Sequence, residues 1–142
     1  MYNKFMKSAI DEATLSFRLG EMPVGAVVVK DGIIIGRGHN LKETERDATQ
    51  HAEINAIKEA CKSVGDWRLN GASLYVTLEP CPMCAGAIIE SRIKRVYIGA
   101  ESRDSGAAGT VYDLLNKKAE VYFGIMEDEC KKLINDFFSR LR

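Results

Sequence analysis

Hydrophobic residues recur along this chain with two periods, and their alternation predicts its secondary structure. From Asn3 to Leu19 they are spaced three and four residues apart, which is typical of an amphipathic helix. Gly20 and Pro23 should end that helix, because glycine suits a left-handed cap and proline cannot continue a helix without a large penalty. The chain is therefore expected to open with one helix.

A β-hairpin is predicted next. Two β-branched runs, Ala26 to Lys30 and Ile33 to Ile35, flank Asp31-Gly32, which is a strong signal for a two-residue hairpin turn. The residues from Gly36 to Gln50 show no periodicity, so we expect an irregular strand end followed by a loop.

The remaining pattern alternates strands with helices. Further helices are predicted at residues 51–63, 83–91 and 128–142, and further strands at residues 73–78, 95–100 and 119–123. Thr49 is the expected cap of the second helix, which places His51 in its first turn. Leu141 is expected on the inward face of the last helix. This order favours an α/β fold in three layers, α/β/α, around a mixed five-stranded sheet.

Length and composition indicate one ordinary globular domain spanning residues 1–142, with 46% hydrophobic and 28% charged residues. Lys+Arg 20 and Asp+Glu 20 balance, so the overall charge does not by itself indicate a nucleic-acid partner. The amino terminus has no apolar signal core, and no apolar run approaches the roughly 20 residues of a membrane span. We therefore expect a cytoplasmic protein with no membrane partner.

The strongest chemical signal is His51-Ala52-Glu53 taken together with Glu79-Pro80-Cys81-Pro82-Met83-Cys84. A histidine and a Cys-x-x-Cys pair offer three ligands to a tetrahedral zinc ion and leave its fourth position open to water, which is typical of catalytic sites. His51, Cys81 and Cys84 are the predicted ligands of one zinc ion per subunit. Helix starts and a nearby cation both favour cysteine thiolates.

Glu53 is the candidate catalytic residue. It lies two positions from the histidine and need not be a ligand, so its carboxylate can take a proton from the activated water and pass it to the substrate. This H-x-E and P-C-x-x-C combination is a general signature of zinc nucleobase deaminases. The predicted reaction is hydrolytic deamination of an amino-substituted heterocycle.

Two simpler interpretations apply to the separate motifs. A Cys-x-x-Cys pair by itself is as often a structural zinc knuckle or a redox pair, and a lone H-x-E is usually without chemical meaning. A structural site would need a fourth ligand, but His39 is the only other histidine. Cys61 and Cys130 lie in helical patterns and are predicted to be small buried hydrophobic residues.

Several segments resemble, in order and spacing, the bacterial tRNA adenosine deaminases of the TadA type. They are Pro23 to Val27, His51 to Glu53, Thr77 to Ala87, Gly106-Ala107-Ala108-Gly109 and Asp136-Phe137-Phe138. The zinc motif is shared across the cytidine deaminase superfamily, so it indicates the chemistry and the fold more than the substrate. The Gly-Ala-Ala-Gly loop and the Asp-Phe-Phe tail are the parts that favour the tRNA branch.

The resemblance implies conversion of adenosine to inosine at the wobble position of a tRNA anticodon, by a homodimer with a cytidine-deaminase-like fold. Asn40 matches the family asparagine that hydrogen-bonds the flipped base, and Val24 and Ala52 are expected to contact the substrate. The expected partner is a tRNA anticodon stem-loop, and no DNA partner is expected. Aromatic and basic side chains of the last helix are expected to contact the RNA. They are Phe137, Phe138, Arg140 and Arg142.

Two features depart from that family. The segment from Leu115 to Val121 is shorter than expected, and the overall charge is neutral. Two rival functions also stay open: a small-molecule deaminase of the same superfamily acting on guanine, cytosine or a free nucleoside, and a zinc-dependent RNA-binding module without catalysis. Glu53 argues against the module, because a structural zinc site needs no neighbouring carboxylate.

Overall fold

The computed structural model describes residues 2–141 of the chain. Within that range, four α-helices and five β-strands alternate along the sequence. The helices are α1 (Tyr2–Arg18), α2 (Ala52–Val64), α3 (Pro82–Glu90) and α4 (Glu127–Arg140). The strands are β1 (Gly25–Lys30), β2 (Ile33–His39), β3 (Ser73–Leu78), β4 (Arg95–Ala100) and β5 (Glu120–Tyr122).

The strands form one mixed sheet in the order β2-β1-β3-β4-β5. Strand β1 runs antiparallel to β2 and β3, whereas β3, β4 and β5 are parallel to one another. The carboxyl ends of β3 and β4 therefore lie side by side at one edge of the sheet, where open α/β sheets usually place their ligands. The predicted five-stranded mixed sheet is confirmed.

Successive side chains of a strand point to opposite faces, and the core divides accordingly. Val28 and Val76 pack in a cluster with α2 and α3, whereas Val27 and Tyr75 pack in a cluster with α1 and with Cys130 of α4. The helices thus cover both faces of the sheet. The three-layer α/β/α fold predicted from the sequence is confirmed.

The prediction of an irregular strand end after Ile35 was wrong, whereas the loop expected up to Gln50 is confirmed from Asn40 onward. Strand β2 continues to His39 and pairs with β1 along its whole length, with a bulge opposite Val28 and Val29. Positions 36 and 38 require glycine because α2 lies directly against them. A Cβ atom on either residue would lie 2.3 Å from a backbone oxygen of that helix. The glycines that disturbed the sequence pattern are the residues that allow helix and strand to pack.

The predicted cap of α2 was also wrong. The Thr49 hydroxyl donates to the Asp47 carboxylate at 2.7 Å, and the residue at the cap position is His51, whose side chain makes no capping hydrogen bond. His51 therefore immediately precedes the helix, and its ring is free to point elsewhere. Cys81 occupies the same position before α3, with Pro82 at the helix start.

The carboxyl-terminal helix differs from its predicted form at both ends. It begins at Glu127 and ends at Arg140, and Leu141, expected to face inward, is 67% exposed. Cys130 is buried as predicted, but Cys61 is only partly buried. Arg142 lies outside the described residues. No helix within residues 2–141 combines the length and the apolar composition needed to span a bilayer.

Candidate metal centre and substrate cavity

Three ligand atoms converge where the starts of α2 and α3 meet. Nδ1 of His51 lies 3.5 Å from the sulfur of Cys81 and 3.5 Å from the sulfur of Cys84. All three atoms lie within 4.8 Å of one another. A tetrahedral zinc with ordinary Zn–S and Zn–N bonds holds a sulfur and a nitrogen ligand about 3.5 Å apart. The donor set and its spacing therefore fit a metal ion of this kind.

The two thiols differ in their readiness to ionise. Hydrogen bonds from Cys84 and then from His51 lower the pKa of Cys81 to about 4, so this thiol is a thiolate at neutral pH. The pKa of Cys84 is raised, first by its hydrogen bond with Cys81 and then by burial. The pair thus keeps one proton between its sulfurs. A cation bound between the two sulfurs would lower the pKa of Cys84 as well and favour the second thiolate.

Glu53 lies in the first turn of α2 and is only 3% exposed. Burial is the main cause that raises the pKa of its carboxyl to about 7. A group with a pKa near the working pH can both accept and donate a proton, which is the property required of a general acid–base. The structure therefore gives the sequence-predicted catalytic residue a suitable environment beside the three ligands.

A cavity of about 200 Å³ opens onto this cluster. Such a volume is below the usual range of drug-sized sites and suits a single nucleobase. Its wall contains His51, Glu53 and Cys81, together with three predicted substrate residues, Val24, Asn40 and Ala52. The fold thus brings together residues from the loop before β1, the end of β2 and the start of α2. The wall also includes Met22, Leu78, Glu79, Ser102, Asp104 and Ser105.

The amide of Asn40 has internal partners in this structure. Its Nδ2 donates to the carbonyl oxygen of Met22 at 3.2 Å, and its Oδ1 accepts the N–H of Lys42 at 3.1 Å. An Asn amide has two N–H donors and two acceptor lone pairs, so one of each is left for a ligand. Asn40 therefore both shapes the strand end and faces the cavity.

Sequence reasoning missed the contribution of the loop after β4. Ser102, Asp104 and Ser105 line the cavity, whereas the Gly106-Ala107-Ala108-Gly109 segment does not. The available signal was topological: β3 and β4 are parallel neighbours, so the loops after their carboxyl ends had to meet. The periodicity of the chain does not reveal which residues of such a loop face inward.

The predicted RNA-contacting tail lies elsewhere. Phe137 packs edge-on against Phe17 of α1 with ring centroids 6.4 Å apart, and the Arg140 guanidinium lies 4.5 Å from the centre of the Phe17 ring. Phe138 is 41% exposed. None of these side chains lines the cavity. The structure therefore docks the tail on α1 and leaves Phe138 partly available.

Comparisons with known proteins identify the family of this chain. The family model described as MafB19-like deaminase matches residues 2–142. A curated relative, the tRNA-specific adenosine deaminase of Bacillus subtilis (strain 168), is 51% identical over 97% of this chain and 89% of its own length.

Two solved structures are also similar. One, from studies of A-to-I editing by tRNA:A34 deaminases at the wobble position of transfer RNA, has a TM-score of 0.88 and 41% identity over 92% of this chain and 98% of its own. The other, a guanine deaminase from Bacillus subtilis, has a TM-score of 0.67 and 44% identity over 81% of this chain and 73% of its own. Taken with the site geometry, these findings show that the chain belongs to the MafB19-like deaminase family, in the branch of the bacterial tRNA-specific adenosine deaminases.

Proposed function

We propose that this protein is a zinc-dependent hydrolytic deaminase that converts adenosine to inosine at the wobble position of a tRNA anticodon. The observation that carries the chemistry is the buried Glu53 carboxyl, which lines one small cavity together with His51 and Cys81 of the His51, Cys81 and Cys84 cluster. The relatives named as tRNA-specific adenosine deaminases support the substrate. The domain spanning residues 1–142 carries the whole site.

His51, Cys81 and Cys84 hold one zinc ion per subunit in this proposal. The ion supplies Lewis acidity, which lowers the pKa of a water molecule near it. Glu53 then accepts a proton from that water and transfers it to the ring nitrogen beside C6 of adenine, while the water oxygen forms a bond to C6. Glu53 next takes the proton of the new C6 hydroxyl and delivers it to the amino group. The C6–N bond then breaks as the C6=O bond forms, and ammonia leaves.

The remaining cavity residues bind and orient the base. Val24 and Ala52 offer apolar surface to the ring, and the free N–H and lone pair of Asn40 suit the polar edge of a purine. A cavity of this size accepts a base only after it leaves its stack, which costs least in a single-stranded loop. An anticodon loop presents such a base.

The rest of the RNA would lie on the outer surface. Phe138 and Arg140 are exposed at the end of α4 and are proposed to contact the stem-loop. Because the net charge is zero, attraction to phosphates depends on local basic residues and should fall as salt rises. Since tRNA is its substrate, we place the activity in the cytoplasm.

A homodimer is proposed as the working form. Helix α3 is apolar on nearly every side, and such helices are usually buried on every side. Its Met83 is nevertheless 37% exposed. The Ala107 N–H donates to the Pro80 carbonyl oxygen just before this helix, and the residues that follow Ala107 include the exposed Tyr112 and Leu114. A second copy covering this apolar surface would account for it. Sedimentation equilibrium should give twice the chain mass, and a monomer at micromolar concentration would contradict the dimer.

Incubation of zinc-loaded protein with an arginine anticodon stem-loop RNA tests the activity. We expect inosine at the wobble position and none in an RNA with guanosine at that position. Failure to form inosine with fully loaded protein would remove the RNA substrate.

The likeness to a guanine deaminase makes free-base deamination the second candidate. The same protein should therefore be assayed with guanine, cytosine and free nucleosides. Turnover of one of these without RNA activity would select the small-molecule function. Absence of turnover on all substrates, with RNA binding retained, would select a binding module.

A further inference from the structure

Glu79 is a buried carboxylate that the deamination steps do not use. It follows β3, is 3% exposed, and lies two residues before Cys81. A buried carboxylate is costly unless hydrogen bonds replace its water. The hydrogen-bond donors to the Glu79 carboxylate therefore show which segment this residue holds in place.

Every donor to this carboxylate comes from the loop after β4. The N–H of Ser102 donates to Oε1 at 3.0 Å, and the N–H of Ala108 donates to Oε2 at 2.9 Å. Thr110 donates twice, through its N–H to Oε2 at 3.1 Å and through its hydroxyl to Oε1. One side chain thus satisfies both ends of a nine-residue loop, residues 102–110.

The loop is shaped to fit around this carboxylate. A Cβ atom on Gly106 would lie 2.4 Å from the Glu79 carboxyl, so the glycine permits an approach that no other residue allows. The N–H of Ala107 donates to the carbonyl oxygen of Pro80 at 2.7 Å. The Gly106-Ala107-Ala108-Gly109 segment therefore wraps the Glu-Pro that introduces the cysteine motif, and does not reach the substrate cavity itself.

The other half of the same loop forms a wall of the cavity. Ser102, Asp104 and Ser105 line it together with the residues supplied by α2. Ser102 is both a wall residue and a donor to Glu79, and its carbonyl oxygen accepts the N–H of Gly106 at 3.0 Å. The position of the wall therefore depends directly on the carboxylate.

We propose that Glu79 is a positioning residue for substrate binding: it fixes the 102–110 loop as one wall of the base-binding cavity and thereby links the Gly-Ala-Ala-Gly segment to the cysteine motif. This inference rests on the proposed deaminase function for its kinetic consequence, but its structural consequence does not require a substrate. Glu79 lines the cavity, its hydrogen bonds go to the 102–110 loop, and it takes no part in the proposed deamination steps.

The replacement Glu79→Gln isolates that role, because it keeps the size of the side chain. Gln offers one acceptor oxygen and one NH₂ group, and that NH₂ group would face backbone N–H donors. Hydrogen bonds to the charged acceptor are lost, and the loop should open more often. Thr110→Val removes one donor to the same carboxylate, whereas Thr110→Ser retains it. Asp66→Asn is the control, since Asp66 accepts the N–H of Arg68 in a loop remote from the cavity.

Zinc-loaded variants should be compared by amide hydrogen exchange without substrate, by zinc content, and by kinetics on the stem-loop RNA. We expect exchange at Ser102, Ala108 and Thr110 to accelerate about tenfold in Glu79→Gln, with α2 unchanged. Zinc should stay at one per chain. KM should rise about tenfold with kcat within about twofold, because the ligands and Glu53 lie on other elements.

Thr110→Val should move loop exchange and KM in the same direction by a smaller factor, and Thr110→Ser and Asp66→Asn should resemble the wild type. Unchanged loop exchange in Glu79→Gln, or a fall in kcat and zinc content with KM constant, would overturn the proposal. If Glu79→Gln does not fold, the comparison of Thr110→Val with Thr110→Ser tests the proposal. Equal loop exchange and equal KM in these two variants would overturn the proposal. A wild-type protein inactive on RNA would refute the proposed function, while the exchange experiment would still decide the role of Glu79.

Discussion

Nδ1 of His51 and the sulfur of Cys84 lie 3.5 Å apart, although 33 residues separate them in the chain. His51 immediately precedes α2, and Cys84 lies in the first turn of α3. Both helices pack on the same face of the sheet, so the ligand spacing is fixed by how their amino termini meet. The site is therefore a property of packing between two helices.

Replacing Cys84 with Ala should abolish stoichiometric zinc binding. The variant loses both the charge of a thiolate and one of the three protein ligands that hold the zinc. Zinc content after dialysis should fall from one per chain to well below it, and thermal unfolding should no longer respond to added zinc. Cys61→Ala is the matched control, because Cys61 lies outside the ligand cluster. Full zinc content in Cys84→Ala would refute the assignment.

Replacing Glu53 with Gln should separate metal binding from turnover. The amide has a similar shape but cannot carry a proton between water and base, so we expect the rate to fall about 10²- to 10⁴-fold. Zinc content should not change. Glu59→Gln, at an exposed position of the same helix, should retain wild-type activity. A near-normal rate in Glu53→Gln would remove its proposed role in proton transfer.

Replacing Gly38 with Ala should destabilise the fold. The new Cβ would lie 2.3 Å from the Ala52 carbonyl oxygen, so α2 would have to shift at the turn that follows His51. Overpacking of this kind costs about 1–3 kcal/mol. Urea unfolding should show the loss, and zinc affinity should weaken with it. Arg37→Ala, at an exposed position of the same strand, should leave both unchanged; equal stability of the two variants would contradict the packing argument.

Replacing Glu21 with Gln should lower stability at neutral pH more than in acid. Burial opposes ionisation of Glu21, but N–H donors from Thr44 and Glu43, at 2.6 and 3.1 Å, lower the pKa of this carboxyl overall. A lowered folded-state pKa gives stability that is present above the unfolded value of about 4.3 and is lost as pH falls through the folded value.

Urea unfolding of the wild type and Glu21→Gln at several pH values tests this. The difference in unfolding free energy should be about 2 kcal/mol near pH 7. It should shrink as pH falls below about 4.3, where the unfolded carboxyl becomes neutral, and should be smallest below the lowered folded-state pKa, where the native carboxyl is neutral as well. A difference that stays constant from neutral to acid pH would show that ionisation of Glu21 does not contribute.

The segment from Leu115 to Val121, which is expected from the sequence to be shorter than in the family, connects directly to the last strand. Leu115 is fully buried, and the turn after it leads directly into β5 through the Glu120 N–H, which donates to the Lys94 carbonyl oxygen at 2.8 Å. The sheet therefore closes without a longer loop. This segment does not line the cavity, so its length leaves the wall of the site unchanged.

The sequence by itself determined the alternation of strands and helices, the mixed sheet, and the chemistry proposed for His51, Glu53, Cys81 and Cys84. The period of the hydrophobic residues depends on local spacing, and the type of ligand depends on the atoms that each side chain carries. Both can therefore be read from the sequence alone. The motif residues lie in the sequence at the starts of α2 and α3, where packing of the helices brings them together.

Only the tertiary structure decided the course of β2 and the identity of the cavity wall. Gly36 and Gly38 disturb the strand pattern, and the reason for them is the backbone of α2, which is distant in sequence. In the same way, Glu79 and the loop it holds are joined by hydrogen bonds spanning 23 to 31 residues. Contacts between residues so distant in sequence do not appear in the hydrophobic pattern, because they depend on which elements the fold places side by side.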